Sequence, residues 1–222
     1  MTRPAFAPTP SLTTIGRRSL KDVAMEQIRT AITRGELKAG QRVTELSLAR
    51  RLGVGQATIR EALIDLEHQG FIQRRGLHKT FVTALTRRDM DEIYLIRSRL
   101  ETLAVELLAA ARVREVEDSA RACQRMVEAA KSGDVVGFCA ADLDFHRGLW
   151  RTTGNRVLVE ILERVVPRIF ALDVIRPEGF TPGKLAETAR SHIELLRLLA
   201  TGEYDAATTL MRDSMQQAWA DD

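Results

Sequence analysis

Five pieces of sequence between Ser19 and Thr83 arrive in an order that few folds can absorb. The first predicts a helix from about Ser19 to Arg34. Ser19 and Asp22 form an S-x-x-D capping pattern, and Val23, Ile28, Ala31 and Ile32 supply an apolar stripe. The loop "RGELKAGQRV" follows, with glycines at 35 and 40. A short helix, "TELSLARRLGV", is then capped by Thr44 and stopped by Gly53. After a tight turn through Gly53 and Gly55, a third helix, "QATIREALIDLEHQG", ends at Gly70 and turns Ile59, Leu63 and Leu66 inward. Two extended pieces, "FIQRR" and "KTFVT", flank "GLH" and predict a hairpin with a basic tip. Helix, short helix, glycine turn, helix and basic hairpin is the order of a winged helix-turn-helix. In that shape the short helix braces the third, whose first residues protrude far enough to enter a major groove. The hairpin reaches the neighbouring backbone or minor groove.

Charge follows the same division. Residues 1–86 carry 14 Lys and Arg against 7 Asp and Glu, a net of +7. Residues 87–222 carry 19 against 23, a net of −4, which leaves the chain at +3. A basic unit joined to an acidic one implies nucleic acid as the partner of the first. At 45% apolar and 28% charged, the chain can bury a sizeable core. No apolar run approaches the ~18 residues that span a bilayer, so no membrane is expected. "MTRPAFAPTPSLTTIGRRSL" lacks the apolar region of a signal peptide, and its Pro and Thr predict a mobile tail over residues 1–18. Cys123 and Cys139 lack CxxC spacing and read as buried thiols in a reducing cytoplasm.

From Thr86 onward the pattern stays helical. Thr86 and Asp89 repeat the capping signature, so the linker "TALT" is short. Six helices are expected, at about 87–112, 115–132, 134–152, 155–173, 182–201 and 203–220. Their stops are Gly133, Gly154 with Asn155, "RPEGFTPG" and Gly202, and Thr181 precedes a first-turn Pro182. The fold class is therefore mainly α: a winged helix-turn-helix over residues 19–84, then an antiparallel all-helical bundle over residues 85–222.

One bundle segment, "ADLDFHRGLW" at 141–150, carries Asp142 and His146 four residues apart, within about 40° of each other on a helix. Another inward-looking imidazole, His192, sits in "TARSHIELLRLLATGEY". Bundles build ligand sites from side chains on facing helices, and one carboxylate with two imidazoles suits Zn²⁺, Mn²⁺ or Ni²⁺. Spacing alone favours another reading, in which both histidines are satisfied core residues and Asp142 is a surface acid.

The N-terminal residues carry a family resemblance. "LA-x-x-LGV", "I-R-E-A-L-x-x-L" and the following "GFI" stand in register within "RGELKAGQRVTELSLARRLGVGQATIREALIDLEHQGFI", which resembles the DNA-binding domain of GntR-family transcription regulators. The resemblance implies a homodimer on a roughly palindromic double-stranded DNA operator. The family usually shows Ser-Arg-Thr-Pro before its "V-R-E-A-L"; here Gly55, Gln56, Ala57 and Thr58 stand there, and Leu46 replaces an Arg common near the start of the second helix. Gln suits adenine and Arg suits guanine, each bidentate pair giving roughly 1–3 kcal/mol of discrimination. The operator should therefore differ from that of Arg-bearing relatives. Arg60 keeps the family's Arg, implying a base or phosphate contact, with a salt bridge to Glu61 or Glu67 as the alternative. Arg42, Thr44, Gln56 and Thr58 join it as expected DNA contacts. Arg74, Arg75, His78 and Lys79 read as wing and phosphate contacts or as solvated surface.

Residues 89–218 resemble the FCD effector domain of the FadR branch of that family, through "IRSRLE", "ADLDFHRGLWRTTGN", "SHIELLRLLATGEYDAA" and "LMRDSM". In many FCD domains, residues matching Asp142, His146 and His192 bind a divalent metal together with a fourth His in the last helix. Here that fourth position, 22 residues after His192, is Ser214, which implies a contact to a metal-bound water or to the effector. The resemblance implies a small organic acid as effector. Arg97 matches a family Arg that faces the cavity and pairs with the acid, an ion pair with Glu101 being the alternative. The expected function is a DNA-binding regulator controlled by a carboxylate effector beside a metal, with repression relieved by the effector as the commoner family behaviour. A metal-dependent enzyme on a bundle and a pure metal sensor are the rival readings.

Overall fold

The computed structural model describes residues 19–76, 79–175 and 180–220. The tail expected over residues 1–18 and the hairpin-tip residue His78 lie outside the described residues.

The N-terminal unit begins with α1 (Leu20–Thr33), closed by a reciprocal capping box between Ser19 and Asp22. Its buried face is Ala24, Ile28 and Ile32, with Ala31 packed beside them. Val23, expected in that stripe, is instead 39% exposed. It lies five residues from Ile28, about 140° around the helix, too far to share its face. The expected loop ends in a two-residue strand, β1 (Arg42–Val43). No period-2 pattern is visible in two residues, and the strand exists only through pairing with the hairpin. Next come α2 (Glu45–Leu52), capped by the Thr44 hydroxyl and ended at left-handed Gly53, and α3 (Gln56–His68). The wing is β2 (Ile72–Arg75) and β3 (Lys79–Val82), in the antiparallel order β1-β3-β2, with Arg42 opposite Phe81 and Gln73 opposite the same residue on the other side. Ile28, Ile32, Leu48, Ile59, Leu63, Leu66 and Val82 form the core beneath.

The second unit contains α4 (Arg87–Ala110), α5 (Glu117–Ser132), α6 (Val135–Thr152), α7 (Arg156–Val165), α8 (Pro167–Ile175), α9 (Pro182–Thr201) and α10 (Tyr204–Ala220). The single helix expected at 155–173 is two helices, so seven stand where six were expected among the described residues. Pro167 lacks the N–H that would continue the first, and its fixed φ suits the opening of the second. Helix α5 packs along α6 most extensively, α4 lies on α10, and α9 packs against both α5 and α10. Gly148 permits the α5–α6 approach: a Cβ there would fall 2.3 Å from Ser119 Oγ and 2.7 Å from its backbone nitrogen. Fully buried Trp150, Phe138, Phe145 and Leu149 fill the space between the helices.

The two units touch where α3 ends. Gly70 has φ +81°, and a Cβ on it would lie 2.2 Å from the Pro167 carbonyl oxygen. Arg147 of α6 donates from Nη2 to the His68 carbonyl oxygen (3.3 Å), while its Nε and Nη2 grip Glu163 at 2.9 and 2.8 Å. A groove of about 260 Å³ beside this contact is lined by Arg29 and Phe71 from one unit and Leu143, Arg147 and Phe170 from the other.

Candidate functional site

Helix α6 presents Asp142 and His146 one turn apart toward α9, where the turn containing His192 faces them. His192 Nε2 lies 3.0 Å from Asp142 Oδ1, and His146 Nε2 lies 3.5 Å from the same oxygen. Ligand atoms from all three residues fall within 4.8 Å of one another. The side chains are 13%, 2% and 11% exposed, so Asp142 is no surface acid. Both imidazoles are held by their other nitrogen. His192 Nδ1 donates to the Thr188 carbonyl at 2.8 Å, and His146 Nδ1 lies 3.1 Å from Glu101 Oε2. An Nδ1–H engaged in this way makes Nε2 the ligand atom of each ring, the arrangement that orients metal-binding histidines; His192 Nε2 is unpartnered, and His146 Nε2 has Arg97 Nη2 at 3.3 Å. Asp142 Oδ1 and His192 Nε2 are buried with no hydrogen-bond partner besides their mutual 3.0 Å approach. Two buried atoms that face only each other, beside a third donor, fit a divalent cation that accepts N and O ligands.

Behind this cluster lies a buried network. Glu101, fully enclosed, accepts from Trp150 Nε1 (2.7 Å), His146 Nδ1 (3.1 Å) and Arg97 Nε (3.3 Å). Burial disfavours its charge, yet His146, Arg97 and Trp150 hold its carboxyl below the usual range. Burial likewise opposes ionised Asp142, and His192, His146 and Arg97 outweigh it, so its pKa is lowered. For His192, burial lowers the pKa but neighbouring Asp142 raises it further, and the net shift is upward. Arg97 is 4% exposed and paired with Glu101, the alternative that the sequence allowed. Its Nη2 also sits 3.3 Å from His146 Nε2, and its guanidinium lies 4.9 Å above the Phe170 ring. Ser214 shares a 3.1 Å hydrogen bond with Ser191, the neighbour of His192. Asn155 caps α7 through the Leu158 amide. Cys123 and Cys139 are buried thiols; burial pushes Cys123 up to about 11 and Cys139 higher still, so neither is a ready nucleophile.

On the other unit, Arg42, Thr44, Gln56, Arg60, Arg74, Arg75 and Lys79 are exposed and Thr58 is half-buried. Arg60 is bonded to Glu45, fifteen residues earlier, rather than to Glu61 or Glu67; Glu67 instead holds Arg74 at 3.1 Å. Thr44 is occupied as the cap of α2, accepting from the Ser47 amide. Two partners escaped sequence reasoning: Glu101 as the residue that orients His146, and Glu45 as the partner of Arg60. Both are contacts between separate helices, for which the local sequence holds no signal.

The family model of the FCD domain matches residues 92–217, and that of bacterial regulatory proteins of the gntR family matches residues 20–82. The chain belongs to the gntR family of bacterial regulatory proteins. It is 29% identical over 176 residues, 79% of this chain and 76% of the relative, to "Probable D-xylose utilization operon transcriptional repressor" of Paenarthrobacter nicotinovorans. It is 43% identical over 82 residues to the HTH-type transcriptional regulator YdhC of Bacillus subtilis, a match spanning 37% of each protein. The solved structure of Escherichia coli McbR/YncC superposes with a TM-score of 0.67, covering 92% of this chain and 97% of that one at 24% identity, which establishes the common fold. This gntR-family protein is thus a transcription regulator and not an enzyme, and the metalloenzyme reading falls. No helix of the described residues is long and apolar enough to cross a membrane.

Proposed function

We propose that this regulator is a homodimeric repressor whose grip on a double-stranded operator is set by a small organic acid bound in the α-helical bundle beside a divalent metal. Asp142, His146 and His192 hold the ion, which is Zn²⁺, Mn²⁺ or Ni²⁺ by its donor set. The ion supplies a positive anchor for a carboxylate oxygen. The observation carrying this reading is that both imidazoles have Nδ1 tied off and direct Nε2 at one buried carboxylate oxygen. Ser214 serves as a hydroxyl toward a water or the acid, and Arg97, paired with Glu101 and 3.3 Å from His146 Nε2, supplies a buried guanidinium beside the cluster. On the DNA side, Gln56, Thr58 and Arg60 contact bases and Arg42, Thr44, Arg74, Arg75 and Lys79 contact the backbone, a role that the sequence also gives His78.

The test is metal content of the purified protein beside His146→Ala and His192→Ala. Near-stoichiometric metal in wild type, lost in both variants, supports the reading. It fails if wild type stays metal-free after reconstitution with each of the three ions. The same preparations then report whether chelation changes DNA affinity, which separates a structural ion from a regulatory one.

A further inference from the structure

Arg60 occupies the second turn of α3 with 61% of its side chain exposed, yet its guanidinium is not free to wander. Nε donates to Glu45 Oε1 and Nη2 to Glu45 Oε2, both at 2.9 Å. Glu45 opens α2, where the Thr44 cap fixes the first turn. The carboxylate that holds the recognition helix's arginine therefore comes from the bracing helix. Two parallel bonds to one carboxylate set the plane of a guanidinium as well as its position. They occupy the Nε–Nη2 edge. The adjacent edge, with Nη1–H and the second hydrogen of Nη2, stays open as a pair of parallel donors. That pair matches O6 and N7 of guanine in the major groove. A phosphate can use the same fork, but it carries no sequence information, so only a base contact turns a fixed donor pair into selectivity. Arg60's hydrogen bond, against burial, lowers the Glu45 pKa, and the charge of Arg74 on the wing adds a smaller effect in the same direction.

We propose that Glu45 is a positioning residue that presents Arg60 to a guanine of the operator. This rests on the reading of α3 as the base-facing helix. An arginine ordered before binding loses less side-chain freedom on contact. Presented to the base edge, the pair is satisfied only where the base accepts both hydrogens, so it sharpens selectivity there. The carboxylate itself is repelled by phosphates. Removing it should therefore strengthen indiscriminate binding while weakening the preference for guanine, two changes of opposite sign that loss of folding does not produce.

The experiment uses the full chain with wild type, Glu45→Gln, Arg60→Ala and the double variant, each selecting from a pool of randomised short duplexes. Binding to a scrambled duplex is titrated alongside, and each variant's melting temperature is compared with wild type. Wild type should select a guanine at one position of each half-site, and Arg60→Ala should lose it. Glu45→Gln should lose roughly tenfold of that preference, within the range of one bidentate base contact. It should bind scrambled duplex at least as tightly and melt as wild type does. In the Arg60→Ala background the second change should leave base preference untouched. Glu45→Gln that keeps the wild-type guanine preference while Arg60→Ala loses it overturns the positioning role alone. Arg60→Ala that keeps the preference, or wild type that selects no sequence, overturns the base-facing reading of α3 as well. Glu45→Gln that melts early and loses preference evenly at all positions assigns Glu45 to the stability of the winged unit and ends the proposal.

Discussion

Glu101 is the residue on which the bundle's polar interior depends. Its carboxylate takes hydrogen bonds from Trp150, His146 and Arg97 with no exposure to water. Neutralising it leaves the Arg97 guanidinium buried beside an amide, and breaking one partner of a buried ion pair costs about 3–5 kcal/mol. Glu101→Gln should therefore shift the urea unfolding midpoint strongly downward. Trp150→Phe, which removes one of three donors and keeps most of the ring, should cost about 1–2 kcal/mol. Glu101→Gln should also weaken metal binding, since an outer partner of a metal-bound histidine is typically worth 10–100-fold in affinity. An unchanged midpoint for Glu101→Gln would mean that the carboxyl is already neutral, against the lowered pKa that its neighbours impose. At this scale the sequence was partly legible. Asp142 and His146 announce themselves because i,i+4 spacing is local. Glu101 was visible only as a partner for Arg97, its neighbour one turn on. That it also orients His146, 45 residues later, is a fact of how α4 meets α6.

Among the elements, boundaries set by capping chemistry were readable and those set by packing were not. Ser19, Thr44, Thr86 and Thr181 each accept the expected amide, and Gly53, Gly133 and Gly202 end helices in the left-handed region. The division of α7 from α8 was missed because the apolar stripe runs on through "ILERVVPRIFAL", although Pro167 marks the break once it is given weight. The two-residue strand β1 carries no periodic signal at all. Gly70 shows how an unremarkable helix stop gains a second duty. Its positive φ ends α3, and its bare Cα lets the Pro167 carbonyl approach. Gly70→Ala meets both constraints at once and should destabilise the chain by about 2–4 kcal/mol, more than a left-handed alanine costs without a clash. Differential cleavage near residues 68–72 by a protease reads the loss of docking directly. Gly53→Ala is the control: it too sits at positive φ, at +66°, but a Cβ there meets nothing within 4 Å, so only the backbone strain should register.

For the whole molecule, the question is how a site inside the bundle reaches the DNA-facing unit. Consecutive residues of α6 touch both. His146 reaches Asp142 and Glu101, while Arg147 donates to the carbonyl of His68, the last residue of α3, and holds Glu163 of α7. Phe170 of α8 spans the same ground, lying 6.1 Å from the His146 ring and lining the groove between the units. A ligand can shift the placement of the winged unit only through contacts that differ between its two positions. The Arg147–His68 bond joins the turn of α6 that carries His146 to the end of α3, so a change in the placement of the winged unit has to alter it. Arg147→Ala should keep the metal content of wild type, because the residue contributes no ligand atom to the cluster. It should reduce the ratio of DNA affinities measured with metal and with chelator toward one. Wild-type coupling of ordinary size, about 1–3 kcal/mol, makes that ratio roughly 5–150-fold, and linkage demands that DNA change metal affinity by the same factor. Measuring both ratios separates two outcomes. If both collapse in Arg147→Ala, the arginine carries the coupling. If both persist, the coupling runs through the other contacts between the units, of which the backbone approach of Gly70 to Pro167 is the one that Gly70→Ala tests.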